Sequence, residues 1–203
     1  MNYIQEKLGV RWLKSCCKYC PFISREVAVT RYLAEPEAAG FALLTEAIAL
    51  ALNPRMQLFP FGRAYDVIVE SDNHAALKNF QERLACLNWG LYRVERTYEK
   101  KIGSESGKPF TRVDRRVAMV SRGSREEMTA NLQAIAQEYG LTVETSLEAE
   151  RVYSHKRDTN VFPSCEGFWV VCPALVKDKV RSAKSFRQKW DEISGAVRQL
   201  SLF

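Results

Sequence analysis

Three cysteines lie within five positions of one another in the stretch KSCCKYCPF, residues 14–22. Cys17 and Cys20 have the C-x-x-C spacing that lets two thiolates meet one metal ion from a tight turn, and Cys16 adds a neighbouring thiol. The flanking lysines favour the thiolate form electrostatically. The spacing therefore predicts half of a site for zinc or an iron–sulfur cluster.

A complete metal site needs about four protein ligands. The remote candidates for completing it are Cys165, Cys172 and His155. Cys86 lies beside leucines on a predicted helix and is assigned to the core. Two alternatives to a metal site stay open, because clustered thiols can pack as small apolar side chains or can do redox or sulfur-carrying chemistry.

The second candidate chemistry is binding of phosphate groups. The net charge is +6, with a pI of about 9.0, which fits a nucleic-acid partner and equally fits an ordinary basic protein. Strand-like segments interleave tyrosines with arginines, as in proteins that stack single-stranded bases and pair phosphates. The candidate residues for RNA or single-stranded DNA are Arg93, Arg96, Arg112, Arg115, Arg116, Lys177 and Lys184. The alternative is one core face and one solvated face on each strand.

Several function classes lack a sequence signature. There is no Gly-rich phosphate loop, nucleophile elbow, zinc-protease helix or paired-carboxylate motif, so the chain is not expected to be catalytic alone. The most apolar run, residues 38–53, contains Glu46 and is shorter than the about 20 residues that span a bilayer. With no secretory signal visible, we expect a cytoplasmic protein with reduced thiols and no membrane partner.

The elements that must position these residues follow from periodicity and from stop signals. Strand alternation and helical spacing recur twice, in the order β-α-β-β-α-β, which is the ferredoxin-like plan. Ser124 and Glu127 form a capping box at the start of one helix, and Gly140 ends it. The elements are a strand at 64–70, a helix at 71–89, strands at 91–101 and 111–121, a helix at 124–139 and a strand at 141–154.

The whole chain is therefore predicted to be an α+β protein in three parts. Residues 1–58 form a helical segment with the cysteine motif, and residues 59–158 form the ferredoxin-like core. Residues 159–203 form an extension with an amphipathic helix over 176–200, which has an apolar stripe and a basic back.

The cysteine stretch also resembles a known family. Its residues Lys14, Ser15, Cys17, Cys20, Pro21 and Phe22 match the K-S-x-C-x-x-C-P-F pattern in the C-terminal cysteine region of phosphoadenosine phosphosulfate reductase-like proteins, of the ATP-pyrophosphatase family. The following segment, residues 35–54, resembles the helical part after that motif. The resemblance covers residues 1–55 and implies a metal or iron–sulfur module.

The nucleotide-binding loop of that family, S-G-G-x-D-S, does not occur in this sequence. The resemblance therefore implies an accessory or C-terminal subunit whose partner subunit binds the nucleotide. The alternative hypothesis is an RNA- or single-stranded-DNA-binding protein with a ferredoxin-like core, from a mobile-element or defence system.

Overall fold

The computed structural model describes residues 23–57, 59–60, 62–104, 107–146, 148–181 and 186–200. The cysteine motif at residues 14–22 lies outside these ranges, so its predicted metal site stays a prediction. The chain divides into two compact units, here called the N-terminal unit (residues 1–86) and the C-terminal unit (residues 87–203). The sequence prediction had placed the first boundary after residue 58.

The described part of the N-terminal unit is helical. Its helices are α1 (Arg25–Ala34), α2 (Pro36–Leu52), α3 (Ala64–Glu70) and α4 (His74–Ala85). Ser24 caps α1, as its sequence position predicts, and Asn73 caps α4 by accepting a hydrogen bond from the Ala76 amide at 3.1 Å. Tyr32, Leu43 and Ile68 belong to one buried apolar cluster that joins these helices. No helix in the described ranges has both the length and the apolar character needed to cross a membrane.

The predicted strand at residues 64–70 is wrong, because this segment is helix α3. Buried Glu46, on α2, accepts hydrogen bonds from the amides of Ala64 and Tyr65 at 2.7 and 3.0 Å. It therefore satisfies amides that have no partner inside the helix. Val67 and Ile68 are buried with Ala64 at helical spacing, so the alternation of Tyr and Val along this stretch was accidental.

The C-terminal unit is built on one antiparallel sheet. Its order is β3-β4-β5-β1-β2-β6, and the two long central strands β1 and β2 form a hairpin. Its elements are β1 (Trp89–Ile102), β2 (Pro109–Gly123), α5 (Arg125–Glu138), β3 (Val143–Thr145), β4 (Glu150–His155), β5 (Ser164–Pro173), β6 (Lys179–Arg181) and α6 (Phe186–Leu200).

The predicted strands at 91–101 and 111–121 and the predicted helix α5 are confirmed, and Ser124 caps α5 as expected. That the two strands pair as a hairpin was not predicted. The ferredoxin-like arrangement is not confirmed. The predicted strand at 141–154 is two strands, β3 and β4, joined by a turn at Ser146. The predicted helix at 176–200 is confirmed only in part, because α6 covers Phe186–Leu200 while residues 179–181 form β6.

Helices α5 and α6 cover the same face of the sheet. Val171, on β5, packs with Met128 and Leu132 of α5. Cys165 lies six residues earlier on the same strand, and it packs with Phe186 and Trp190 of α6. Since β5 pairs with β1 without a register shift, these odd-numbered residues share one face. The covered face therefore has a gap between the two helices.

A lysine fastens α6 to the central hairpin. Lys189 Nζ lies 2.5 Å from Glu99 Oε2 and 2.6 Å from Asp114 Oδ2. Burial alone would raise the pKa of Asp114, but hydrogen bonds from Lys189 and Arg112 outweigh it and hold this pKa below its usual range. Burial alone would lower the pKa of Lys189, but its two carboxylate partners raise it.

We predict that Lys189→Met lowers the free energy of unfolding by about 1–3 kcal/mol, because Met keeps the apolar stem but removes the charge-assisted hydrogen bonds. The Asp114 contribution is present above the ordinary pKa of 3.8 and is lost as the pH falls through the lower folded value. The Lys189 contribution is present below 10.5 and is lost as the pH rises through the higher folded value.

Urea unfolding as a function of pH measures both effects. Lys78→Met is the matched control, because Lys78 is exposed on α4 and its loss is expected to change the free energy by at most about 0.5 kcal/mol. If the two variants have equal free energies of unfolding at every pH between the acidic and the basic losses, the role of Lys189 is contradicted.

Candidate functional site

The gap between α5 and α6 is a cleft of about 420 Å³ on the sheet. Strand residues form its floor, α6 forms one wall, and the segment that follows α5 forms the other. The lining residues are Arg93, Glu95, Tyr139, Leu141, Ser154, His155, Trp169, Arg187, Trp190, Asp191 and Ser194. Both charged and aromatic side chains thus meet in one concave site, which is the usual setting of a small-ligand site.

Arg93 occupies the centre of the floor. Its Nη2 donates a hydrogen bond to Ser154 Oγ at 2.8 Å, and its Nε lies 3.4 Å from Glu95 Oε1. The guanidinium lies 4.0 Å from the ring centroid of Trp169, its neighbour across the sheet. Burial lowers the pKa of Arg93, and Glu95 opposes this, but an arginine stays protonated at physiological pH. The cleft therefore contains a fixed positive charge.

One donor of Arg93 has no partner in the part of the chain that the structure describes. This donor, Nη1, is buried, and none of the described residues accepts a hydrogen bond from it. Leaving a charged donor unsatisfied in a buried place is costly. This donor lies beneath the accessible surface, so it adds positive charge under the cleft and is not itself a ligand contact.

A bulge in β4 brings two successive side chains to the cleft. Tyr153 pairs with Phe168 and His155 pairs with Gly167, so Ser154 is an extra residue on this strand. The Ser154 hydroxyl donates to the Gly167 carbonyl at 3.1 Å, and its oxygen lies 3.1 Å from His155 Nδ1. Because the single hydroxyl hydrogen is used in this way, His155 is not placed as a base for Ser154. The pair positions Arg93 and gives no support for a nucleophile.

Gly167 allows the floor to close under α6. A Cβ atom at this position would lie 2.7 Å from Trp190 Cη2 and 2.9 Å from Arg93 Nη2. Any larger residue would push apart the tryptophan and the arginine, which lie 5.9 Å apart from ring centroid to guanidinium carbon. The glycine is therefore required for the shape of the cleft.

Aromatic rings line the other parts of the cleft. Tyr139 stacks on Trp169 with ring centroids 5.8 Å apart and an interplanar angle of 17°. Trp190 meets His155 edge-on at 5.5 Å. Tyr139 is 59% exposed although it is large and aromatic. The stack thus presents an accessible ring edge and face at the mouth of the cleft.

Buried acids lie beneath exposed bases on this face. The Glu95 side chain is 5% exposed, and it pairs with Arg116 at 3.5 Å and with Arg187 at 3.8 Å, whose side chains are 41% and 67% exposed. The carboxylate therefore holds guanidinium groups in place from below. Asp191 also lines the cleft and is exposed, with its Oδ2 3.3 Å from Arg187 Nε, so the surface that a ligand meets is basic at Arg116 and mixed at Arg187.

The predicted arginine patch is divided between two faces. β1 and β2 are neighbours, so Arg93, Arg112 and Arg116 share the face of the cleft, while the paired residues Arg96 and Arg115 lie on the opposite face. Arg96 is buried, and its Nη1 lies 2.8 Å from Glu166 Oε2, so it is not a surface contact.

The two predicted lysines lie apart from the cleft. Lys177 is exposed in the segment between β5 and β6, and not on a helix as expected. Lys184 lies outside the described residues.

Of the three remote metal-ligand candidates, Cys165 and Cys172 are not brought together, whereas His155 lies on the same face as Cys165. Cys165 and Cys172 are both buried and lie on opposite faces of β5, since seven residues separate them. Burial raises the pKa of Cys165 to about 11 and that of Cys172 to about 12, which disfavours the thiolate form. Across the residues that the structure describes, no group of three or more metal-ligating side chains is found. Cys86, assigned to the core, is instead exposed.

Sequence reasoning missed several residues that shape the cleft, among them Glu95, Tyr139, Ser154, Gly167, Trp169, Arg187 and Trp190. Tyr139 and Trp190 were interpreted as a helix end and a core position, and β5, which contains Trp169, was not predicted. The closest signal for the cleft was Tyr139, a large aromatic residue at the end of α5 that is exposed. The bulge at Ser154 leaves no mark in the sequence that periodicity can read.

Comparison with known proteins gives no relative: no family model matches the chain, and no curated protein or solved structure is similar to it. The function must therefore be inferred from the side chains and their surroundings. The cleft brings charge, aromatic surface and a concave shape together in one place.

We predict that Gly167→Ala destabilises the C-terminal unit by about 1–3 kcal/mol, because the added methyl overlaps Trp190 and Arg93. Tryptophan emission should change in the folded state as well, since two lining residues are tryptophans. Gly195→Ala on α6 is the control. Nothing lies within 4 Å of its added methyl, and alanine favours a helix, so this variant should be as stable as the parent or more stable. If Gly167→Ala and Gly195→Ala have equal free energies of unfolding, the close approach of Trp190 and Arg93 to Gly167 is contradicted.

Proposed function

We propose that the C-terminal unit binds single-stranded nucleic acid, with one nucleotide in the cleft. The observation that carries the proposal is the combination of an exposed Tyr139–Trp169 stack with the guanidinium groups of Arg93 and Arg187 in one site. Bases stack on such rings whatever their sequence, and guanidinium groups pair with phosphates.

The size of the cleft favours an unpaired nucleotide. Its volume lies within the range of about 300–1,000 Å³ that is typical of small-ligand pockets. A base must leave its pairing partner to enter a concave site of this size and stack on an aromatic ring. A duplex, in contrast, would meet only the rim. The face also carries exposed arginines outside the cleft, which favours a chain of phosphates over an isolated nucleotide.

The chemistry supports binding and gives no support for catalysis. The Ser154 hydroxyl is held by Arg93 and the Gly167 carbonyl, and Glu95 is enclosed by three arginines. Neither group is available as a nucleophile or a base. We therefore assign the cleft a recognition role.

We predict that Tyr139→Ala weakens binding of a fluorescent single-stranded oligonucleotide by about 5- to 100-fold, the loss of one stacked base. Arg187→Gln should weaken binding and reduce the slope of log affinity against log salt by about 0.7, because one phosphate contact is lost. Both side chains are exposed, so folding should be retained. Fluorescence anisotropy at several salt concentrations measures both effects.

Lys78→Gln is the charge-matched control and should bind as the parent does, since Lys78 lies on α4 of the other unit. A duplex of the same length should bind more weakly than the single strand. The proposal is wrong if no single strand binds at low salt, or if binding persists unchanged in both cleft variants.

A second candidate function rests on the cysteine motif alone. We propose, as the resemblance implies, that Cys16, Cys17 and Cys20 hold zinc or an iron–sulfur cluster in an accessory subunit of a sulfur- or nucleotide-handling enzyme. The burial of Cys165 and Cys172 on opposite faces argues that these two do not complete the site together. The two proposals are compatible, because they use different parts of the chain.

Elemental analysis of protein purified without oxygen tests this candidate. We predict that zinc or iron is lost in Cys17→Ser and Cys20→Ser and is retained in Cys165→Ala and Cys172→Ala. The latter two are the controls, because their thiols are buried with raised pKa values. Parent protein that contains neither metal would remove the proposal.

A further inference from the structure

The central hairpin extends beyond the rest of the sheet. β5 pairs with β1 only as far as Tyr98, opposite Ser164, whereas β1 and β2 continue to pair up to Ile102 and Pro109. At its far end the hairpin therefore lacks a flanking strand within the described part of the sheet. The face of the cleft continues along this extension without a break, since the strand alternation is regular from Tyr92 onwards.

The continued face carries an ordered row of exposed side chains. Arg116 and Arg112 follow each other on β2, Phe110 comes next, and Lys101 is the cross-strand partner of Phe110. The Arg112, Lys101 and Phe110 side groups are each 48% exposed. The row thus leads from the cleft, where Arg116 pairs with Glu95, to the outer end of the hairpin.

The acidic residues of this extension lie below the bases, as they do in the cleft. Asp114 is 6% exposed on its side chain, and it accepts from Arg112 Nε at 3.2 Å and from Lys189. Glu99 is held by Lys189 and lies 3.7 Å from Lys101. Asp114 is covered and the Glu99 side chain is only 24% exposed, so the most accessible groups of the row are cations and one aromatic ring. This surface is complementary to an anionic chain with stackable groups.

We infer that a single nucleic-acid strand continues from the cleft along this hairpin, with Arg116, Arg112 and Lys101 on its phosphates and Phe110 against a base. This inference rests on the proposed function of the cleft. From Arg116 to Phe110 the strand rises about 20 Å, at about 3.3 Å for each residue. A stacked strand has a phosphate about every 3.4 Å, so the row spans about six nucleotides.

Affinity as a function of oligonucleotide length tests the inference. The parent protein should bind an oligothymidylate of about 12 nucleotides at least about tenfold more tightly than one of about 4, and its salt slope should be steeper by about 2 for the longer strand. The triple variant Lys101→Gln/Arg112→Gln/Arg116→Gln should bind both lengths equally. Because Arg116 also pairs with Glu95 in the cleft, the affinity for the short strand is compared in the double variant Lys101→Gln/Arg112→Gln, which should keep it close to that of the parent.

Two further variants separate recognition from folding. The control triple Lys78→Gln/Lys156→Gln/Lys177→Gln removes the same charge from exposed positions off the row, and should keep the gain with length. Phe110→Ser removes no ion pair, so it should fold as the parent does. It should lose a part of the increase in affinity that the longer oligonucleotide gives.

The hairpin path is wrong if the hairpin triple and Phe110→Ser still bind the longer strand more tightly than the shorter one. It is also wrong if the control triple loses this preference for the longer strand to the same extent. It is wrong as well if polyglutamate binds and its affinity depends on the hairpin residues as strongly as that of the oligonucleotide. If the short strand binds and length has no effect, the hairpin inference fails and the cleft proposal stands. If no strand of any length binds to the parent, both fail.

Discussion

Burial of the Glu95 carboxylate is the constraint on which the cleft depends. An ionised carboxylate inside a protein must be paired with positive charge, because its transfer from water costs several kcal/mol. Its partners Arg93, Arg116 and Arg187 come from β1, β2 and α6, so one charge joins the hairpin to the helix that covers it. The same pairing fixes guanidinium groups that would otherwise be mobile at the surface. A basic surface ordered before binding loses less entropy when a phosphate arrives.

Two backbone features give this charged floor its shape. The β4 bulge turns both Ser154 and His155 toward the cleft, where a regular strand would turn only one of them. Gly167, opposite the bulge, lets Trp190 and Arg93 approach the sheet more closely than a side chain would permit. The cleft therefore depends on one extra residue in β4 and on the absence of a side chain at Gly167 in β5. Helix α6 forms its wall and is held on the hairpin by the ion pairs of Lys189 with Glu99 and Asp114.

The parts of the fold that could be predicted from sequence are those with a local cause. Helix α5 has its cap at Ser124 and its stop at Gly140, and the hairpin strands alternate, so both were correctly placed. Helix α3 was mistaken for a strand because its first amides are bound by Glu46, 18 residues away in sequence. β5 was missed because it is buried on both faces and shows no alternation. The cleft combines residues from four elements and from the segment after α5, and no spacing within one element indicates such a meeting.

The two arginines of β1 show why residue type and count did not identify the site. Arg93 and Arg96 are three positions apart on one strand, so they face opposite sides of the sheet. Arg96 meets buried Glu166, which also accepts from the Tyr98 hydroxyl, and that face uses the charge for internal pairing. Arg93 lies over Trp169 in an open cleft. The same contrast holds for Glu95 and Asp114 against Glu166: a carboxylate below a guanidinium leaves the cation exposed, whereas a carboxylate beside it in the core removes it from the surface. The depth of the acidic residues, more than the number of basic ones, determines where this protein can meet an anion.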